Sequence, residues 1–211
     1  MAYQPPIKVK PLAQSGTKLR IDKIQVMVVV AGDRAANLIK AIFEQLGFPN
    51  LLIAHDADEA VDYMKEVVVD LVVSDAEIKA SPLFNDGNDK EDVQIDQPNI
   101  SGVNLIRHLR HAPDSPNPFV PVIMMVNQAT KSSILAARDA GVNEILLKPI
   151  NAADFCQRLV SIIDHPRLFV TAESYKGPDR RRKNTGLPEG ISKERRLREI
   201  RLFRTDERWR E

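Results

Sequence analysis

The sequence predicts an α/β fold: a five-stranded parallel sheet with helices on both faces. Two observations carry this prediction. Short apolar runs such as Leu71-Val72-Val73-Ser74 and Ile145-Leu146-Leu147 recur between segments of helical periodicity. Runs of this length read as strands covered on both sides, and strands that alternate with helices pair in parallel. The second observation is that these two runs end on charged residues, Asp75 and Lys148. In a parallel sheet a carboxylate and an ammonium so placed share the carboxyl-terminal rim, where open α/β sheets bind ligands.

Each element has its own local signal. Residues 1–22 are polar, hold three prolines and read as a loose N-terminal arm. Ile24 to Val30 is the first strand. Leu38, Ile39, Ile42, Phe43 and Leu46 then share one helical face, and Gly47 ends that helix. Leu51 to Ala54 is the second strand, and Asp56 with Glu59 has capping-box spacing for a helix through Val61, Tyr63 and Met64. Leu71 to Ser74 is the third strand. Ser101-Gly102 opens a helix through Leu105, Ile106 and Leu109. Val120 to Val126 is the fourth strand, Thr130 caps a helix closed by Gly141, and Ile145 to Leu147 is the fifth strand. Asn151 caps a last helix with Phe155, Cys156, Leu159, Val160 and Ile163 inward, and Pro166 marks the domain end.

Two segments break the rhythm. Residues 79–100 hold two lysines against five acids (Asp86, Asp89, Glu91, Asp92 and Asp96), an acidic insertion long for a compact domain. From Lys176 to Glu211 there are thirteen Lys/Arg against seven Asp/Glu, so 166–211 reads as a basic extension, extended or helical. The predicted organisation is therefore an arm over 1–22, a domain over 23–165 and the basic extension.

Bulk composition excludes several classes. The chain has 211 residues, net charge +1, 43% hydrophobic and 5% aromatic content, so its core must be aliphatic. The single Cys156 rules out an internal disulfide and suits a reducing compartment. No apolar stretch reaches the roughly 18 residues of a membrane span, and the first residues lack signal-peptide character, so a cytoplasmic location is expected. No Ser-His-Asp set, glycine-rich phosphate loop or metal-ligand cluster points to a conventional enzyme.

From about residue 24 to 165 the chain resembles the receiver domain of bacterial response regulators, in a divergent form. The resemblance rests on Val72-Val73-Ser74-Asp75, Ser101-Gly102-Val103-Asn104-Leu105, Pro121-Val122-Ile123-Met124-Met125 and Ala140-Gly141-Val142-Asn143-Glu144-Ile145-Leu146-Leu147-Lys148-Pro149. It implies a flavodoxin-like sheet of order 2-1-3-4-5. It implies that Asp75 accepts a phosphoryl group from a histidine kinase or phosphotransfer protein, making the chain a phosphoprotein of two-component signalling. It implies that Lys148 contacts the phosphoryl oxygens, that the Lys148-Pro149 bond is cis, and that Mg²⁺ neutralises the converging negative charge. It also implies a partner or homodimer surface on the 130–165 face.

The chain departs from that pattern at defined positions. The two acids expected after the first strand fall on Val30-Ala31 or Ala31-Gly32, with Asp33 displaced nearby. The switch hydroxyl position reads Val126 and the switch aromatic reads Ile145. Valine has no donor, and isoleucine has no ring to reorient. Two readings stay open: a weak metal site completed from Asp33, Asp75 and Glu77 or an acid of the 79–100 loop, or a plain Asp75–Lys148 ion pair. One fixed carboxylate favours weak or absent phosphorylation, because hard cations want several charged oxygens.

Other candidates read blandly. Asp86-Gly87-Asn88-Asp89 lacks EF-hand spacing and reads as a solvated acidic loop. His108 and His111 sit three apart without an evident third ligand, and Cys156 reads as core. Arg180, Arg181 and Arg182 form an arginine cluster suited to phosphates, so a nucleic acid or cyclic dinucleotide is a further candidate partner. The interspersed glutamates weaken that reading. The expectation is a stand-alone signalling receiver acting by protein contact. The alternatives are a phosphorylation-independent adaptor and a nucleotide or nucleic-acid binder through the arginines.

Overall fold

β-Branched and aliphatic runs too short for helices make the sheet. In the computed structural model, residues 21–79, 101–165, 167, 169–172 and 175–180 are described. Expectations for 1–20, 80–100 and 181–211, including the acidic insertion, Arg181, Arg182 and the basic helix, lie outside the described residues. The strands are β1 (Val26–Val29), β2 (Leu51–Ala54), β3 (Leu71–Asp75), β4 (Val122–Val126) and β5 (Glu144–Leu147). They pair in the order β2-β1-β3-β4-β5, all parallel, as expected.

Five helices connect them: α1 (Asp33–Gln45), α2 (Ala57–Glu66), α3 (Ser101–His111), α4 (Lys131–Asp139) and α5 (Ala152–Asp164). Their ends follow the local chemistry. Asp56 accepts from the Glu59 amide at 2.9 Å, and the Glu59 carboxylate accepts from the His55 amide, one residue earlier than a standard capping box. Thr130 and Asn151 accept from the Ser133 and Asp154 amides. Gly47 and Gly141 close α1 and α4 at φ of 84° and 89°, a backbone region that glycine enters without a Cβ penalty.

Alternation along the strands splits the core into two layers. Val26, Val28, Leu71, Val73, Ile123 and Met125 face α1 and α5, whose Phe43 and Phe155 rings meet at 4.4 Å. Met27, Val29, Val72, Met124 and Val126 face α2, α3 and α4. Cys156 is buried and unpaired, as a core residue. No helix among the described residues is long and apolar enough to cross a membrane.

Beyond α5 the described backbone is extended, forming an antiparallel hairpin, β6 (Phe169–Ala172) and β7 (Tyr175–Pro178). Phe169, Val170 and Thr171 are strong strand formers. Phe169 is 2% and Tyr175 8% exposed, so the hairpin belongs to the packed structure.

Candidate functional site

Asp75 and Lys148 reach the same point from two strands. Asp75 is the last residue of β3, in register with Met125 of the neighbouring β4. Lys148 follows β5, and its amide donates to the Val126 carbonyl at 2.9 Å, which extends the β4–β5 ladder by one step. The Lys148 Nζ donates to Asp75 Oδ2 in a direct ion pair. The Asp75 side chain is 8% exposed and that of Lys148 28%, so the pair is mostly desolvated and screened little by salt. The Lys148-Pro149 bond is cis. The other Asp75 oxygen, Oδ1, accepts from the Glu77 amide at 3.2 Å. Both carboxylate oxygens therefore have protein partners.

Gly102 closes the floor of the site, a role that the sequence reading did not assign. A Cβ there would lie 2.0 Å from the Asp75 carbonyl oxygen, and the Gly102 amide donates to the Ala76 carbonyl at 3.0 Å. Helix α3 thus begins directly against the end of β3. Asn127, just past β4, donates to Glu77 Oε2 at 2.9 Å and ties the loops after β3 and β4 together.

The expected metal trio is not assembled. Asp33 opens α1 with its side chain 92% exposed, and its carboxylate faces His55 Nε2 at 3.7 Å. Glu77 is engaged with Asn127, and Asp75 with Lys148. Val30, the rim residue after β1, is fully buried and apolar, so the strand that would supply acids carries none there. Among the described residues, no group of three or more His, Cys, Asp or Glu is arranged to hold a metal ion. The degenerate switch positions behave as their side chains dictate. Val126 is 3% exposed in the core, and Ile145 packs partly buried against the α2–α3–α4 layer.

A second polar cluster lies at the opposite end of the sheet and was not legible in the sequence. Arg110 of α3 is fully buried. It donates to the carbonyls of Pro118, Val120 and Gly141 and to Asn143 Oδ1. Burial among these neutral acceptors pushes its pKa down to about 9. Glu144 is also buried, and accepts from the Ser161 hydroxyl, with Arg158 at 3.6 Å and Arg167 at 3.8 Å. Arg180, expected to bind a partner, instead pairs with Asp139 at 3.4 Å and stacks on the Tyr175 ring at 3.9 Å.

No protein-family model matches the chain. Chemotaxis protein CheY-3 of Vibrio cholerae is 25% identical over 141 residues, 67% of this chain and 92% of that protein. The chain is thus similar in sequence to a CheY-type chemotaxis protein. The sensory/regulatory protein RpfC of Xanthomonas campestris is 24% identical over 146 residues, 68% of this chain and 17% of RpfC. Solved structures share the receiver fold. Chemotaxis protein CheY4 of Vibrio cholerae superposes with a TM-score of 0.50 at 17% identity, covering 64% of this chain and 95% of CheY4. The signal receiver domain of an HD domain-containing protein from Pseudomonas fluorescens gives 0.51 at 18% identity, covering 67% and 95%. At the carboxyl-terminal rim of that fold this chain carries Asp75 and Lys148, and Val30 and Ala31 lie directly after β1.

Proposed function

We propose that this chain is a divergent response-regulator protein of two-component signalling that acts by protein contact, with Asp75–Lys148 serving chiefly as an ion pair. The observation that supports this best is the pairing of Asp75 through both oxygens, at a rim where no metal-holding group of three or more His, Cys, Asp or Glu forms among the described residues. A phosphoryl acceptor must present a free carboxylate oxygen, and its new charge must be neutralised by a cation. Here Lys148 supplies one positive charge, and among the described residues Mg²⁺ would meet Asp75 as its one well-placed acid, so its binding is weak. When bound, Mg²⁺ would neutralise charge between the carboxylate and the incoming phosphoryl group. Asp75 is the residue that would hold it.

Ile134 on α4 and Leu147 on β5 are 40% and 50% exposed, which supports the 130–165 face as a partner or homodimer surface. A histidine kinase or phosphotransfer protein is the partner class on the phosphorylation reading. The reading with Arg180, Arg181 and Arg182 as a nucleic-acid or cyclic-dinucleotide site loses Arg180 to its intramolecular contacts.

Acetyl phosphate with Mg²⁺ and intact-mass detection tests the proposal. The expected result is little or no phosphoryl adduct in the wild type. Stoichiometric labelling lost in Asp75→Asn would overturn it and restore the phosphorylated-switch reading.

A further inference from the structure

We propose that the β6–β7 hairpin is a strap that opens locally from the α4–β5 turn, releasing that turn and the root of the basic extension together, without unfolding the sheet. The inference is independent of phosphorylation at Asp75.

The closed state is specific. At the hairpin's entrance, Arg167 donates to the Asn143 carbonyl. At its exit, Arg180 pairs with Asp139. These two arginines grip the two ends of one short turn, from the last residue of α4 to the start of β5. Between them the backbones touch: a Cβ on Gly177 would lie 2.6 Å from the Gly141 Cα, and one on Gly141 would lie 2.5 Å from the Lys176 carbonyl oxygen. Any side chain at either glycine therefore lifts the hairpin. Tyr175 stiffens the seat by donating from its hydroxyl to the Pro178 carbonyl at 2.7 Å. The run Tyr175-Lys176-Gly177-Pro178-Asp179-Arg180 thus works as a docking piece.

The same contacts make the strap separable. A two-stranded hairpin has little stability of its own, so its order depends on the seat. Phe169 of β6 covers the Arg110 guanidinium at 5.1 Å and stacks edge-on with Phe119 at 5.1 Å. Closing the strap thereby keeps water from a cation whose hydrogen-bond acceptors are all neutral. That desolvation works against the apolar and cation–π gain of closure. The balance favours a closed state that opens at a lower free energy than the core strands, the condition for a cooperative local opening unit.

Hydrogen exchange on the full chain, read by peptide mass spectrometry, tests the strap. In the wild type, amides of 169–178 and of 139–144 are expected to exchange together and at least tenfold faster than those of β3 and β4. Gly177→Val is expected to raise exchange in both segments tenfold or more, with β1, β3 and β4 unchanged. Asp139→Asn, a milder surface change, is expected to raise the same two segments severalfold. Strap amides as slow as β3 and β4 in the wild type would overturn the proposal. So would a Gly177→Val or Asp139→Asn effect confined to 169–178, or spread evenly over the sheet.

Discussion

Gly102 and Asp75 are in backbone contact: the position of a Cβ on Gly102 falls 2.0 Å from the Asp75 carbonyl oxygen. The start of α3 and the end of β3 are therefore one rigid piece, and the aim of the Asp75 carboxylate depends on a missing methyl group. Gly102→Ala forces this piece apart. A loss of about 2–3 kcal/mol is expected, at the upper end of overpacking costs. Urea unfolding checks it, and the Lys148 side-chain resonance is expected to shift as the pair is displaced.

Removing one member of the rim pair strands the other. Lys148→Ala leaves the Asp75 carboxylate, 8% exposed, without its cation. The cost is expected to be about 2 kcal/mol, below that of a fully buried pair because Lys148 retains some solvent contact. Asp75→Ala combined with Lys148→Ala is expected to cost less than the sum of the two single changes. A double-mutant cycle in denaturant measures the difference.

Ala31 is exposed beside the rim after β1, at a position where the resemblance expects an acid. Ala31→Asp adds a second carboxylate near Asp75. Mg²⁺ affinity is expected to rise roughly tenfold, as hard cations respond to charged oxygens. Calorimetric titration of wild type and variant gives the ratio, and an unchanged affinity would show that position 31 does not face the site.

Arg110 serves four acceptors from a fully buried position. Arg110→Ala is expected to cost about 3 kcal/mol, since it orphans buried carbonyls and leaves a cavity under Phe169. Arg110→Lys keeps the charge but loses the planar fork, and is expected to fall between the two. Thermal unfolding ranks the three.

Burial lowers the pKa of His108 and of His111. Between the folded values and the ordinary value of about 6.5, the unfolded chain binds more protons than the folded one. Stability carried by these groups is therefore present above about pH 6.5 and lost as the pH falls through the folded values. The melting temperature is expected to drop from pH 7.5 to 5.5, and a His108→Gln, His111→Gln double variant is expected to drop less.

Helix ends, strand runs and the strand-end charges were readable because each depends on neighbours in sequence. Asp56, Thr130 and Asn151 cap their helices through amides three residues on. Lys148 and Asp75 were legible as strand-end charges, and parallel pairing then brings them together. The metal trio failed for a reason that spacing does not reveal. Asp33, Asp75 and Glu77 lie near one rim, but each has a different partner.

The sequence by itself determined the parallel α/β architecture, the inward faces of its helices and the strand-end positions of Asp75 and Lys148, because period and local capping encode all three. Only the tertiary structure decided the fates of Arg110, Glu144 and Arg180. A basic or acidic residue looks solvent-bound in a linear chain. Whether it is buried depends on acceptors 8 to 33 residues away for Arg110 and on a hairpin that folds back over it. Long-range burial of charge leaves no periodic mark, so the docked strap emerges only when the chain is closed on itself.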